Sequence, residues 1–370
     1  MTLVVVGAGL AGLAAAWEIR QTGTAVVVLE GGDRAGGVVV TERPPGFVVE
    51  GGPDGFLAAE PDIQELAREL ALDDQVVDQR ATGAALWTGR RLEPLAEGRA
   101  AALLGIQGHG DEALSLGFRS FAGGMAVVVE ALVDRLAGAV RRHQGVTAVV
   151  PARRGWRLAV TGGSTLEAEG VILAVPGWVA ARLLAGVGVP AGRALDEVVY
   201  LPSVTVSLAY RAAQVPADLV GAGFVSGGES GALIRACSYS SRKYPCRAPD
   251  GAALLRAFVA PADGDPGALA HAELAPILGL QGAPLWTRAF HWPRGLPRYK
   301  PGHAARVAAI RDRLQRLAPL EVAGAAVDGA SVSACVKSGR EAARRVLARA
   351  GGAGGAARAT ASPAAPRRRP

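Results

Sequence analysis

Three glycines, an acid and an arginine near the N-terminus have the types and spacing to hold a dinucleotide. Gly7, Gly9 and Gly12 form G-x-G-x-x-G between an apolar run, Thr2–Val6, and a segment with helical patterning, Leu13–Ile19. Gly7 permits a tight turn, and Gly9 lets the backbone approach a pyrophosphate. Gly12 lets helix and strand pack closely, while the helix N-terminus offers unpaired N–H groups and a partial positive charge. Ala8, Leu10 and Ala11 complete the turn. Ala25–Leu29 is a second buried strand closed by Glu30, where an acid accepts hydrogen bonds from ribose hydroxyls. Gly31, Arg34, Gly36 and Gly37 come next. Arg34 can neutralise phosphate or hold a second loop, and the glycines admit backbone beside an extended ligand.

The elements that must position these residues follow from patterning. Thr2–Val6, Leu13–Ile19 and Ala25–Leu29 form one β-α-β unit. Helices are expected at Glu60–Leu70, Gly124–Leu136, Ala304–Leu317 and Ser338–Ala348. Strands are expected at Val146–Val150, Trp156–Val160 and Val171–Val175. A further set, Val204–Tyr210, Gly223–Val225, Leu233–Ser238 and Leu254–Val259, suggests an antiparallel sheet interrupting the first domain. The class is therefore α/β: a Rossmann-like domain with a mostly parallel sheet, interrupted by a smaller α+β domain with an antiparallel sheet. At 370 residues the chain has room for two cores.

Composition excludes several classes. Half the residues are apolar and 20% charged, as in a globular protein and unlike a disordered chain. The 50 glycines follow no G-X-Y period, which removes collagen and leaves turns and close backbone approaches. The net charge is +7, and four arginines, Arg358 and Arg367–Arg369, sit in the last 13 residues. The body is thus weakly basic, so no nucleic-acid partner is expected. Cys237, Cys246 and Cys335 are odd in number and lack C-x-x-C spacing, so neither zinc nor a disulfide framework is expected. Met1–Trp17 is uncharged and lacks the basic region of a signal peptide. No run reaches the ~18 apolar residues of a membrane span. A soluble, cytoplasmic protein is the expectation.

The run Glu30-x-x-x-Arg34-x-Gly36-Gly37, continued by Gly46–Pro53, resembles the FAD-binding amine-oxidase-like flavoproteins. Within them, Gly51–Leu57, Phe121–Met125, Ala236–Pro245 with Arg247–Pro249, Trp292–Tyr299 and Ser338–Ala343 resemble the protoporphyrinogen and coproporphyrinogen III oxidases. The resemblance implies oxidation of a porphyrinogen to a porphyrin in heme biosynthesis, with FAD as acceptor and dioxygen yielding hydrogen peroxide. It also implies that Gly7–Gly12 hold the pyrophosphate and Glu30 the ribose. Val38, Gly52, Pro53, Asp54 and Gly55 would meet the flavin end, and Val146 the adenine through its backbone. Trp292, Ser331, Val332 and Ser333 would line the isoalloxazine, with the last helix aiming its N-terminal dipole at the ring. The substrate carries propionates, so cations are expected near the open face, with Arg242 and Lys243 as candidates. His291 is adjacent in sequence to Trp292, yet no general base is assigned.

The implied division is FAD-binding segments 1–80, 118–190 and 291–348, a shortened substrate-domain segment 81–117, a substrate-domain sheet 191–290, and a disordered tail 349–370. Two departures stand out. The family carries a long helical segment walling the substrate cavity where this chain has only the Gly/Ala-rich bridge Ala96–Gly117. His109, Asp111 and Glu112 within it read as a solvated loop. The family's Gly-Ile-Pro-Asp-Cys-like stretch is here Ser331–Cys335, and its carboxylate is lost at Ala334. Three readings stay open: a porphyrinogen oxidase with a reduced cavity, another flavin oxidase acting on an amine or smaller substrate, and a FAD-binding but silent deletion variant. Oligomeric state is not legible.

Overall fold

The computed structural model describes residues 1–95, 99–103, 113–114, 116–227 and 231–359. The glycine turn lies inside a five-stranded parallel sheet. In spatial order its strands are Val140–Arg141 (β10), Ala25–Leu29 (β2), Thr2–Val6 (β1), Gly170–Leu173 (β14) and Leu320–Val322 (β20). Val4 pairs with Val27 on one side and Val171 on the other, which centres β1. Both faces are covered, so the strands read as unbroken apolar runs. On one face Leu3, Val5, Val28 and Ile172 pack under helices Leu10–Gln21 (α1), Pro61–Glu69 (α2), Ala126–Arg135 (α3) and Val332–Ala359 (α8). On the other, Val4, Val6, Leu29 and Leu173 pack against Gly177–Gly186 (α4) and His303–Leu314 (α7). The antiparallel sheet Val146–Pro151 (β11), Trp156–Val160 (β12) and Thr165–Ala168 (β13) completes that second layer.

A seven-stranded sheet forms the second unit. Its order is Trp286–Arg298 (β19), Val199–Arg211 (β15), Ala252–Val259 (β18), Ile234–Ser238 (β17), Gly223–Ser226 (β16), Ala84–Trp87 (β7) and Leu92–Leu95 (β8). Neighbours are antiparallel except β16 and β7. One face buries Val204, Val206, Leu208, Leu255 and Ala257 with helix Pro266–Leu278 (α6). Two small sheets join the units. Thr41–Glu42 (β3) pairs with Val49–Glu50 (β4), and Phe118–Phe121 (β9) lies between Phe56–Leu57 (β5) and Val76–Asp78 (β6). The architecture is the expected α/β fold, a parallel FAD-binding-type sheet interrupted by an antiparallel one.

Several elements differ from the sequence reading. The last helix begins at Val332, ahead of Ser338, because the Ser331 hydroxyl accepts the Ala334 N–H at 3.1 Å and caps it. It continues to Ala359, past Ala348 and into the stretch expected to be disordered, extending an already nucleated helix through Gly351, Gly352, Gly354 and Gly355 despite their poor helix propensity. Residues 360–370 lie outside the described ones. Strands β15 and β19 are each 13 residues long. Pro293 and Pro297 argue against a strand, but β19 is an edge strand, where a missing N–H costs no ladder bond. Arg242 and Lys243 lie on a single helical turn, Ser240–Lys243 (α5), and not on a strand. One helical turn, Arg99–Leu103, occupies part of the short bridge, while His109, Asp111 and Glu112 lie outside the described residues.

Candidate FAD site and its substrate-side sheet

The β1–α1 turn is shaped by contacts that only glycine allows. A Cβ on Gly12 would stand 1.9 Å from the Gly7 carbonyl oxygen, and one on Gly7, at φ +100°, would stand 2.3 Å from that of Ala174. A Cβ on Gly9 would meet no atom within 4 Å, so the turn opens outward there. Gly9 caps α1 without a side-chain acceptor, leaving first-turn amides for an anion. Leu10 and Ala11 are buried under α8.

The Glu30 carboxylate spans the turn, accepting the Ala8 N–H and the Gly32 N–H, each at 2.8 Å. Gly31 passes the Gly145 backbone closely, which places Val146, buried at the start of β11, beside the Glu30 turn. Arg34 resolves its two options in favour of the loop: its guanidinium donates to the carbonyls of Ala35, Gly37 and Val39. Gly36 donates to the Ala8 carbonyl at 2.7 Å, and Gly37, at φ +59°, lies against Gly9. Val38, next after this second glycine run, is 53% exposed.

The loop Gly51–Gly55 crosses between the two units. A Cβ on Gly52 would lie 1.7 Å from the Val38 carbonyl oxygen, so this loop and the Val38 segment touch backbone to backbone. The Gly51 carbonyl accepts the Trp292 indole N–H at 2.9 Å and the Arg256 guanidinium at 3.5 Å, and Gly52 also accepts from Arg256. Phe290 packs on Gly51. Pairing of Phe290 with Thr205, Trp292 with Ser203 and Arg256 with Ser207 puts all six on one sheet face, opposite α6. His291 pairs with Val204, so it faces away from the loop.

Beneath the loop sits a charge cluster that the sequence did not reveal. Asp54 pairs with Lys243 at 3.1 Å and with Arg256 at 3.9 Å. Burial alone would raise the Asp54 carboxyl, but these cations outweigh it and hold it down to about 2. Glu50, 3% exposed, accepts from Thr41 Oγ1 and the Met125 N–H, and burial pushes its carboxyl up. Arg247, 1% exposed, donates to Ser120 Oγ at 2.6 Å and the Phe121 carbonyl at 3.1 Å. The signal available in sequence was Arg256 inside the apolar strand Leu254–Val259, since a charge there must find partners.

The C-terminal contribution is the start of α8. Besides capping it, the Ser331 hydroxyl donates to Glu60 at 2.8 Å, and Ser333 Oγ accepts the Ile63 N–H at 3.2 Å. Val332 is buried. Cys335, in the same turn, is pushed up to about 12, by burial first and then by Asp328, and stays a neutral thiol. Arg242 donates to the Ala217 carbonyl at 3.2 Å. Of the two candidate carboxylate binders, then, Lys243 is occupied by Asp54 and Arg242 by the backbone. No group of three or more metal-ligating side chains occurs among the described residues.

The model of the family described as flavin containing amine oxidoreductase matches this chain at residues 10–104 and 94–347. The chain belongs to that family. It is a flavin oxidoreductase, and its cofactor is FAD. The two matched stretches meet at the short bridge. Coproporphyrinogen III oxidase from Propionibacterium freudenreichii subsp. freudenreichii is 28% identical, with 93% of this chain and 90% of the relative covered. The Bacillus subtilis (strain 168) protein of that name is 23% identical over 92% and 96%. Both alignments, of 488 and 455 positions, exceed the 370 residues here, so these relatives carry segments this flavoprotein lacks. A crystal structure from Exiguobacterium sp. 255-15, provisionally named a protoporphyrinogen oxidase, superimposes with a TM-score of 0.79 at 22% identity, covering 93% of this chain and 98% of that one. No helix among the described residues is long and apolar enough to cross a membrane.

The residues present fit FAD. The open space at Gly9, the uncapped first turn of α1 and the Glu30 carboxylate suit the pyrophosphate and ribose. The exposed Val38, the Gly51–Gly55 loop and the start of α8 would bound the flavin end.

Proposed function

We propose that this flavoprotein oxidises a porphyrinogen, coproporphyrinogen III in preference to protoporphyrinogen IX, to the porphyrin, with dioxygen reduced to hydrogen peroxide. The reading rests on one observation: relatives named coproporphyrinogen III oxidase align over nine-tenths or more of this chain and of their own length. Bound FAD supplies the chemistry of accepting a hydride from a substrate carbon and passing the electrons to dioxygen.

The chain's own part is placement. Gly7–Gly12 would hold the pyrophosphate, Glu30 the ribose, and Val146 the adenine edge through its backbone. Arg34 fixes the second glycine run, so this loop is preorganised before ligand arrives. Trp292 and Arg256 anchor the Gly51–Gly52 carbonyls, fixing the loop's distance from Val38. The first-turn amides of α8 would face the ring edge where negative charge develops.

Anaerobic titration of the purified holoprotein tests this reading. Coproporphyrinogen III should bleach the flavin absorbance and benzylamine should not. Bleaching by the amine alone would assign an amine oxidase. Bleaching by neither would mark a flavin-binding protein without this activity.

A further inference from the structure

We infer that the substrate's carboxylates are read by Arg298 at the end of β19, over an apolar platform made by Val199, Leu201 and Leu296. This deepens the porphyrinogen reading and rests on it. Both strands run well beyond the covered part of the sheet. There Leu201 pairs with Leu296 and Val199 with Arg298, after a bulge between Leu201 and Ser203. Val199 and Leu201 share a face with Ser203, and hence with Trp292, which touches the Gly51 loop. Val199, Leu201 and Leu296 are 47%, 39% and 42% exposed, a contiguous apolar surface leading away from the cofactor loop.

Charge complementarity selects the occupant. Of the β19 cations, Arg288 is taken by Glu42 at 2.7 Å, and Arg294 lies 4.2 Å above the Trp178 ring. Trp178 packs on Tyr200, which pairs with Pro297 and lies on the opposite face from Leu201. Arg298 is exposed, sits on the platform's own face and makes no ion pair with any described residue. Ser203 and Val199, the β15 partners of Trp292 and Arg298, are four positions apart, about 13 Å along the strand. A tetrapyrrole with carboxylate arms, puckered at its saturated meso carbons as substrate and flat as porphyrin product, matches that layout: its ring over Leu201 and Leu296, one rim toward Trp292, and an arm reaching the guanidinium. Arg presents a planar fork suited to a carboxylate.

The test uses the FAD-loaded protein. Arg298→Gln should raise KM for coproporphyrinogen III about fivefold to tenfold, the range for a partly solvated charge-assisted contact. The effect on kcat should be under about twofold, and Arg298→Lys should recover part of the loss. Leu201→Asp, which sets a carboxylate under the ring, should weaken binding more than tenfold. Both positions are exposed, so far-UV circular dichroism and flavin content should match the wild type. Fluorescence titration with coproporphyrin III reads the same affinities without turnover. Wild-type turnover with KM and porphyrin affinity unchanged in both variants would overturn the platform alone. A wild type that neither reacts with nor binds any porphyrinogen or porphyrin would overturn the porphyrinogen reading and the platform with it. A dimer dissociated by Leu201→Asp, with porphyrin affinity unaltered, would assign the face to a second copy of the chain and overturn the proposal.

Discussion

Lys243 is where structure and sequence assign different jobs to one residue, so its replacement is informative. Lys243→Met removes the ammonium 3.1 Å from Asp54, leaving Arg256 at 3.9 Å. Asp54 falls from its ordinary 3.8 to about 2 in the folded protein, and each unit is worth about 1.36 kcal/mol. Net of the cost of burying the carboxylate, the surrounding cations therefore leave it contributing about 2 kcal/mol, with Lys243 the largest favourable partner. The folded value is depressed, so the contribution is complete above about pH 4 and disappears as pH falls toward about 2. Lys243→Met should lower stability at pH 7 by about 2 kcal/mol, a shift in Tm of about 2–3 °C for a chain of 370 residues. The deficit against wild type should shrink between about pH 4 and pH 2. Urea unfolding across that range, on Lys243→Met, Asp54→Asn and the double variant, completes a cycle. We expect coupling above about 1 kcal/mol. Additivity within about 0.5 kcal/mol would refute the ion pair as a structural element. An unchanged unfolding midpoint with a raised KM would return Lys243 to the substrate.

Three further outcomes follow from the geometry. Gly52→Ala forces a Cβ to 1.7 Å from the Val38 carbonyl oxygen, so the loop must shift and flavin content on purification should fall below about half, read from visible absorbance. Glu30→Gln keeps one acceptor for the Ala8 and Gly32 amides but loses the charge facing ribose; Kd for FAD, by fluorescence quenching, should rise about tenfold. Arg340→Met removes the 2.6 Å ion pair to Glu69 at the end of α2 and the 3.9 Å one to Glu18 in α1, which loosens α8 against both helices. It should cost about 2 kcal/mol in urea unfolding while leaving kcat per bound flavin unchanged.

The N-terminal half of the site was legible because its information is local. Gly7, Gly9, Gly12 and Glu30 lie within one β-α-β unit, and steric and periodic rules act over such distances. The charge cluster was not, since Glu50, Asp54, Ser120, Arg247 and Arg256 meet across as many as 206 positions of chain. Other misses had signals. Asp265 followed by Pro266, with Gly279 beyond the end at φ +68°, marks α6 at both termini. Ser331 three residues before Ala334 marks the start of α8. Strand β19 was hidden by Pro293, Gly295 and Pro297, which are tolerated only because the strand ends the sheet, a fact no local window contains.

The order of strands in the parallel sheet has a bearing on how the chain matures. Strand β1 emerges first, yet its neighbour β14 lies some 170 residues downstream and β20 beyond residue 319. Helix α8 is later still, and Gly339 must seat within van der Waals reach of Ala11 in α1 to cover it. A ribosome-bound intermediate therefore presents an apolar β-α-β ribbon to solvent, or to a holdase, until nearly the whole polypeptide has been made. Cofactor capture should then be a late event, and chain terminations before about residue 340 should yield aggregates and not colourless soluble protein.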